Sequence, residues 1–455
     1  MTPLTTPHIT ANSFLTTTRT TTSSSTSSTT TDEPEPVLIY FITGNPGLIS
    51  YYHAYLSLLS SELSSGTSDD DDDDGSAHDD GGSGSVSNII PQCIIHGKSM
   101  GGFEIIENGQ GVSNVDGGTQ AQAQAHPGAA PAAAAATNTK LYNLSEQIEH
   151  VERNLNDFVD AWRRRAKMER RRKRGGIGAV AQGEEEAEEE EEEEEGGGGG
   201  QQRGGVNVIL IGHSVGASGQ PKTSSSAGKG EGGSGNDGAM DIIGGILLFP
   251  TVVDIAKSLS GRKLTRLLYM PYLALLASLL VKLLVFILPE SWLRSVVGMV
   301  MGSPPGNAID ATVEFLRSRR GVEQAIHMAA DEMREITSDT WSDEIWGIVS
   351  ASPASSSTAT STTASAPAKI PLNLVLYFAQ QDHWVADQTR DEIIRARGGT
   401  EKGTGSNGPR MQVCEDGVVH GFCIRQSDIM AKKTAAWVRD IIQGRQNGQR
   451  FTTTV

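Results

Sequence analysis

The apolar run from Val206 to Ile211 delivers the chain directly into Gly212-His213-Ser214-Val215-Gly216-Ala217, and no other stretch limits the available folds as much. In G-x-S-x-G a serine occupies a sharp strand-to-helix turn. Small residues on either side, here Gly212 and Gly216, let the crowded backbone pass, and the turn lifts the hydroxyl clear of the sheet edge. A buried strand feeding that serine is the context the pattern requires. Serine is a weak nucleophile at neutral pH, so a base must lie within hydrogen-bond reach and an acid must orient that base.

In the elbow-bearing arrangement the acid and then the base follow the serine along the chain, on loops after late strands. Asp382 follows the apolar run Leu372–Phe378 by four residues, and His420 follows a weaker run, Met411–Cys414. Asp387 and Asp254 compete for the acid role, with Asp382 preferred. His383 is badly placed beside the acid, and His213, inside the elbow, is expected to pack or bond locally. Gly97-Lys98-Ser99-Met100-Gly101 is a second formal match, but it comes after only two expected strands. The oxyanion needs two backbone donors. Val215 N–H, just after the serine, is one; the other is expected from the turn Gly44-Asn45-Pro46-Gly47. Pro46 has no N–H, which leaves Asn45 first and Gly47 second.

Strands are expected at Val37–Thr43, Ile89–Ile95, Val206–Ile211, Ile242–Phe249, Leu372–Phe378 and Met411–Cys414. Helical spacing runs from Tyr51 to Leu63 and from about Ser427 to Ile442. It is clearest in Leu141, Leu144, Ile148, Val151, Leu155, Phe158 and Trp162, which recur every three or four residues. Strands alternating with helices indicate an α/β fold, a mostly parallel sheet with helices on both faces.

Only 37% of the 455 residues are hydrophobic, so much of the chain cannot be core. Residues 1–35 read as a disordered Ser/Thr-rich N-terminus. Residues 36–445 read as a single domain interrupted by low-complexity inserts at 64–87, 107–138, 163–204, 218–238, 351–368 and 397–409. The net charge of −17 comes from two of these: eight Asp between Asp69 and Asp80 and eleven Glu between Glu184 and Glu195 supply 19 of the 55 acids. The remaining 36 face 38 bases. That near-neutral balance argues against nucleic acid as a partner, and the nine basic residues from Arg163 to Arg174 are expected to sit in a charged, solvated loop. Three cysteines, Cys93, Cys414 and Cys423, show no metal-ligand spacing and no disulfide framework, which suits a reducing environment facing the cytosol. The N-terminus lacks a secretory signal pattern. No cofactor is implied.

From Leu267 to Leu288 the chain runs 22 residues with Lys282 as the sole charge. As one helix this would be about 33 Å long, enough to cross a bilayer. A crossing without return would put the elbow and His420 on opposite sides of a membrane, so the preferred reading is monotopic lipid contact. A buried cap is the second reading. Arg262, Lys263 and Arg266 suit a polar interface, and the insert as a whole, 262–302, falls where a lid would. Pro221 and the glycines after Gly219 oppose the helix that should follow an elbow.

In order, Gly44-Asn45-Pro46-Gly47 with Tyr51-Tyr52, Gln147-Ile148-Glu149-His150, Gly212-His213-Ser214-Val215-Gly216-Ala217, Leu248-Phe249-Pro250-Thr251 and His420-Gly421-Phe422-Cys423 resemble the lipid droplet-associated hydrolases of the α/β-hydrolase superfamily, over roughly residues 37–442. The resemblance implies a serine ester hydrolase acting on apolar lipid esters at a lipid droplet or at the cytosolic face of the endoplasmic reticulum, with a role in lipid storage. It implies Ser214 as nucleophile, His420 as base and Asp382 as acid, and it assigns Ile94 to Gly101 to the second strand and turn. The alternatives are a weakly active or non-catalytic droplet-organising protein, suggested by the missing helix after the elbow, and a soluble esterase or thioesterase whose apolar segment is only a cap.

Overall fold

The computed structural model describes residues 7–18, 35–65, 91–105, 140–174, 205–219, 240–339, 341–343, 345–346, 373–398 and 408–452. Strands β1 (His8–Thr10), β2 (Ser13–Thr17), β3 (Val37–Ile42), β4 (Cys93–Lys98), β5 (Asn207–His213), β6 (Asp241–Leu248), β7 (Asn373–Phe378) and β8 (Arg410–Val413) form one sheet in the order β1-β2-β4-β3-β5-β6-β7-β8. From β4 to β8 all pairings are parallel, whereas β2 runs antiparallel to both β1 and β4. This is the α/β-hydrolase architecture that the resemblance implied.

All six residues of β3 are buried, as a strand covered on both faces requires. Alternate residues divide between two cores. Ile39, Phe41, Ile209 and Ile211 join α1 (His53–Ser64) and α9 (Ser427–Thr452) on one face; Leu38, Tyr40, Ile42, Val208 and Leu210 join α2 (Leu144–Arg174) on the other. Helix α8 (Asp387–Arg397) contributes Ile393 to a third cluster with Leu374, Leu376 and Phe378 of β7. The chain goes from β3 to β4 on one side and then returns to β5 on the other. The crevice at the carboxyl ends of β3 and β5 is therefore the switch point where open α/β sheets place their ligands.

Between β6 and β7 five helices form a cap: α3 (Leu259–Leu268), α4 (Leu273–Ile287), α5 (Glu290–Val300), α6 (Gly306–Arg317) and α7 (Gly321–Glu335). The insert is thus longer than the expected 262–302. Its apolar run is not one helix either. Pro271 and Tyr272, the latter at φ 63°, end α3 and restart the chain as α4 at 95° to it. Among the described residues no single helix is long and apolar enough to cross a membrane, and this bent pair passes only when taken together.

Two expectations of disorder are corrected. Residues 8–17, placed in a disordered N-terminus, form a hairpin that extends the sheet past β4, with Phe14 fully buried against α1. The basic run Arg163–Arg174 continues α2 instead of forming a loop, because Arg and Lys are good helix formers and no Gly or Pro interrupts them. Most of the other low-complexity stretches lie outside the described residues.

Candidate active site

β5 ends at His213, and Ser214 follows with φ 54°, a left-handed backbone that a non-glycine residue adopts only where its surroundings impose it. Ser214–Gly219 then coil as a single 3₁₀ stretch, and residues 220–239 lie outside the described residues. The elbow is packed against the β3 turn. A Cβ on Gly216 would come within 2.5 Å of Thr43 O, and one on Gly44 within 2.9 Å of His213 Nδ1, so only glycine lets the two turns approach this closely.

His420, on the loop after β8, and Asp382, after β7, converge on the elbow. His420 Nε2 lies 3.0 Å from Ser214 Oγ, and His420 Nδ1 lies 2.8 Å from Asp382 Oδ2. Asp382 Oδ1 accepts Trp384 N–H at 2.7 Å, which locks the carboxylate against rotation. The acid side chain is 4% exposed and the imidazole 14%, so solvent competes little for either bond. The other acid candidates are engaged elsewhere: Asp387 with Arg390 at 3.1 Å and Asp254 with Lys257 at 2.7 Å. His383 meets the cap through its carbonyl, which accepts Ser260 N–H. Ser99 is buried and accepts Ile49 N–H at 3.2 Å, a turn-stabilising role.

His213 has a different job. Its Nε2–H donates to His420 O at 2.9 Å, its Nδ1 accepts from Tyr52 O–H at 2.7 Å, and the Tyr52 oxygen accepts Gly44 N–H at 3.2 Å. Burial holds its pKa well below the usual histidine value, so it stays neutral and in this tautomer. One continuous chain of hydrogen bonds therefore links the β3 turn, the elbow and the backbone of His420.

The β3 turn carries two of the expected oxyanion candidates. Gly44 N–H is engaged by Tyr52 and Pro46 has none. Among the described residues neither Asn45 N–H nor Gly47 N–H has an acceptor. Val215 N–H belongs to the first turn of the 3₁₀ stretch, where no intrahelical acceptor exists. The side chain of Asn45 turns the other way, into the cap: its Nδ2 donates to Ala325 O at 3.0 Å and to Glu332 Oε1 at 3.1 Å, both on α7.

Sequence reasoning missed Glu332 and Gln324, and gave Tyr52 only as part of a family motif, without a role. A signal existed for the first two. Gln324, Met328, Glu332 and Ile336 form one buried stripe at i, i+4 spacing, with a polar residue at every other position. A polar group on an otherwise apolar helix face marks a partner on the surface it meets.

A family model described as lipid-droplet associated hydrolase matches residues 35–173 and 198–423, most of the chain. Solved structures with a similar course include the peroxisomal α/β-hydrolase Lpx1 from Saccharomyces cerevisiae, 9% identical, covering 96% of this chain and 90% of that one at a TM-score of 0.43. Haloalkane dehalogenase DbeA from Bradyrhizobium elkani is 8% identical, with 91% and 93% covered and a TM-score of 0.41. A thermophilic esterase from Thermogutta terrifontis is 11% identical, with 94% and 93% covered and a TM-score of 0.36.

Proposed function

This chain belongs to the lipid-droplet associated hydrolase family, and from that premise we propose that it hydrolyses carboxylic esters of apolar lipids through Ser214, His420 and Asp382. The observation that carries the reading is the hydrogen-bonded sequence Asp382–His420–Ser214 on a serine held at φ 54°. His420 Nε2 takes the Ser214 proton as Oγ attacks the acyl carbon, and Asp382 steadies the imidazolium that forms. The oxyanion accepts from Val215 N–H and Asn45 N–H. His420 then returns its proton to the departing alcohol, leaving an acyl-enzyme that water cleaves by the same steps in reverse.

The exposed cap supports the class of substrate. Phe286 and Val300 are 88% and 81% exposed, and Tyr272, Leu276, Leu280 and Trp292 also face outward. An apolar face of this extent, with Arg262, Lys263 and Arg266 exposed on the preceding helix α3, suits a lipid surface entered from one side, on a droplet or on the endoplasmic reticulum. The hydrolase would take its ester from the phase it rests on.

A fluorophosphonate probe tests the chemistry. Wild type is expected to label and Ser214→Ala not to label, with ester turnover lower by about 10⁴-fold or more. Equal labelling of both proteins would sink the reading. Absence of labelling in folded wild type would favour the droplet-organising alternative, which the same exposed cap also supports.

A further inference from the structure

Helix α7 is joined to the body by buried polar contacts as well as by apolar ones. Gln324 is fully buried: its Oε1 accepts Tyr142 N–H and its Nε2 donates to Tyr142 O, both at 2.8 Å. Asp331 Oδ2 accepts Leu144 N–H at 2.7 Å, capping the start of α2. The third contact is Glu332, 8% exposed, the α7 side chain that reaches the β3 turn, beside the backbone carbonyl of Ala325.

The distinction matters because of what Asn45 does with its two ends. Both protons of its side-chain amide are engaged by α7, one on Ala325 O and one on Glu332 Oε1. A primary amide whose two N–H bonds are both fixed cannot rotate about χ2, and the short side chain transmits that restraint to its own backbone. The backbone N–H of the same residue is one of the two turn donors with no acceptor of its own. The other restraints on this turn lie on either side of it: Gly44 N–H on Tyr52, and Gly47 O, which accepts Met100 N–H at 2.7 Å. Among the described residues only α7 holds Asn45 itself.

We propose that Glu332 is a positioning residue: through the Asn45 side chain it fixes the oxyanion turn against cap helix α7, so that the Asn45 N–H is aimed before the substrate arrives. The proposal rests on the hydrolase reading given above for its consequence in turnover, but the restraint itself is a property of the fold. Burial, aided by the neighbouring charge of Asp331, raises the Glu332 pKa to about 8, so at neutral pH the group is mainly an uncharged acid. It can then accept from Asn45 without a buried charge, and a glutamine can replace it.

Full-length wild type, Glu332→Gln, Glu332→Ala, Asn45→Ala and the double variant Glu332→Ala/Asn45→Ala would be compared in two ways. With a soluble nitrophenyl ester, Glu332→Ala and Asn45→Ala are each expected to lower kcat about tenfold with KM within about twofold, a misaimed donor and not a lost binding contact. Glu332→Gln should stay within about threefold of wild type, and the double variant should be no worse than Asn45→Ala, which already lacks the bond to Glu332 as well as the one to Ala325 O. Multiplying losses, or a change confined to KM, would overturn the assignment. Independently of turnover, exchange of the hydrogen-bonded amides of this turn, Gly44, Leu48 and Ile49, should quicken about tenfold in Glu332→Ala and remain slow in Glu332→Gln, with the amides of β3 unchanged in both. Unchanged exchange in Glu332→Ala refutes the clamp whatever the activity. Should that variant not fold, Asn45→Ala carries the same exchange test from the other end of the bond. A wild type without Ser214-dependent turnover counts against the hydrolase reading, and the exchange result then decides the clamp alone.

Discussion

Glu332 illustrates how one side chain can leave its mark on the stability of a whole domain. Its pKa is raised from 4.5 to about 8 chiefly by burial, so between these values the unfolded chain loses the proton while the native one keeps it. The stabilisation is complete below about pH 4.5, is lost as pH rises and stays low above about 8. Denaturant titrations of wild type and Glu332→Gln should therefore diverge with rising pH across that window, wild type losing ground, and run parallel above it; parallel curves throughout would mean that the carboxyl ionises freely in the native state. That Ser214, Asp382 and His420 would come together beside the β3 turn could be anticipated from the sequence, because each of the proposed roles has a local signature: an elbow, a loop after a strand, a turn before a proline. Glu332 lies 287 residues from Asn45, and only folding brings the pair together. His213 could be set aside as a base from its place in the elbow, but its bond to His420 O depends on a loop 207 residues away.

At the scale of elements, composition misled where hydropathy is uniform. From Leu267 to Leu288 nothing in the apolar pattern marks an interruption, and the break comes from backbone chemistry: Pro271 supplies no N–H, and Tyr272 takes a left-handed turn. The N-terminal hairpin was invisible for the opposite reason. Strands of three and five residues rich in Thr and Ser offer only Phe14-Leu15 as an apolar pair, and they become strands because β4 provides an edge to pair with. The bend gives α4 a role that a spanning helix could not have. It lies on α7 with Ser278 buried and most of its leucines facing outward. Replacing Leu280 and Phe286 with Glu should reduce co-flotation with artificial triacylglycerol droplets at least about tenfold while leaving the thermal midpoint within about 2 °C, since exposed positions contribute little to folding. Flotation equal to wild type would remove α4 from the lipid contact.

At the scale of the molecule, every residue of the site leaves the carboxyl end of a strand: Gly44 and Asn45 after β3, Ser214 after β5, Asp382 after β7 and His420 after β8. The chain stretches rich in Gly, Ser or acid that end just before β4, β5, β7 and β8 rejoin the fold at the opposite, amino edge. A strand of six residues separates the two edges by about 20 Å. Loop closure depends only weakly on length, so a change of length there is expected to alter stability little. Deleting residues 176–203, which carry the eleven-Glu run, should leave kcat for a soluble ester within about twofold and the unfolding free energy within about 1 kcal/mol. A larger loss of kcat would show that this segment reaches the catalytic edge. The sheet thus works as a spacer between two kinds of freedom. At one edge the geometry is fixed by the hydrogen bonds of His213, Tyr52 and Glu332, while changes of length or charge at the other are expected to leave the serine undisturbed, so reach and solubility are open to change there.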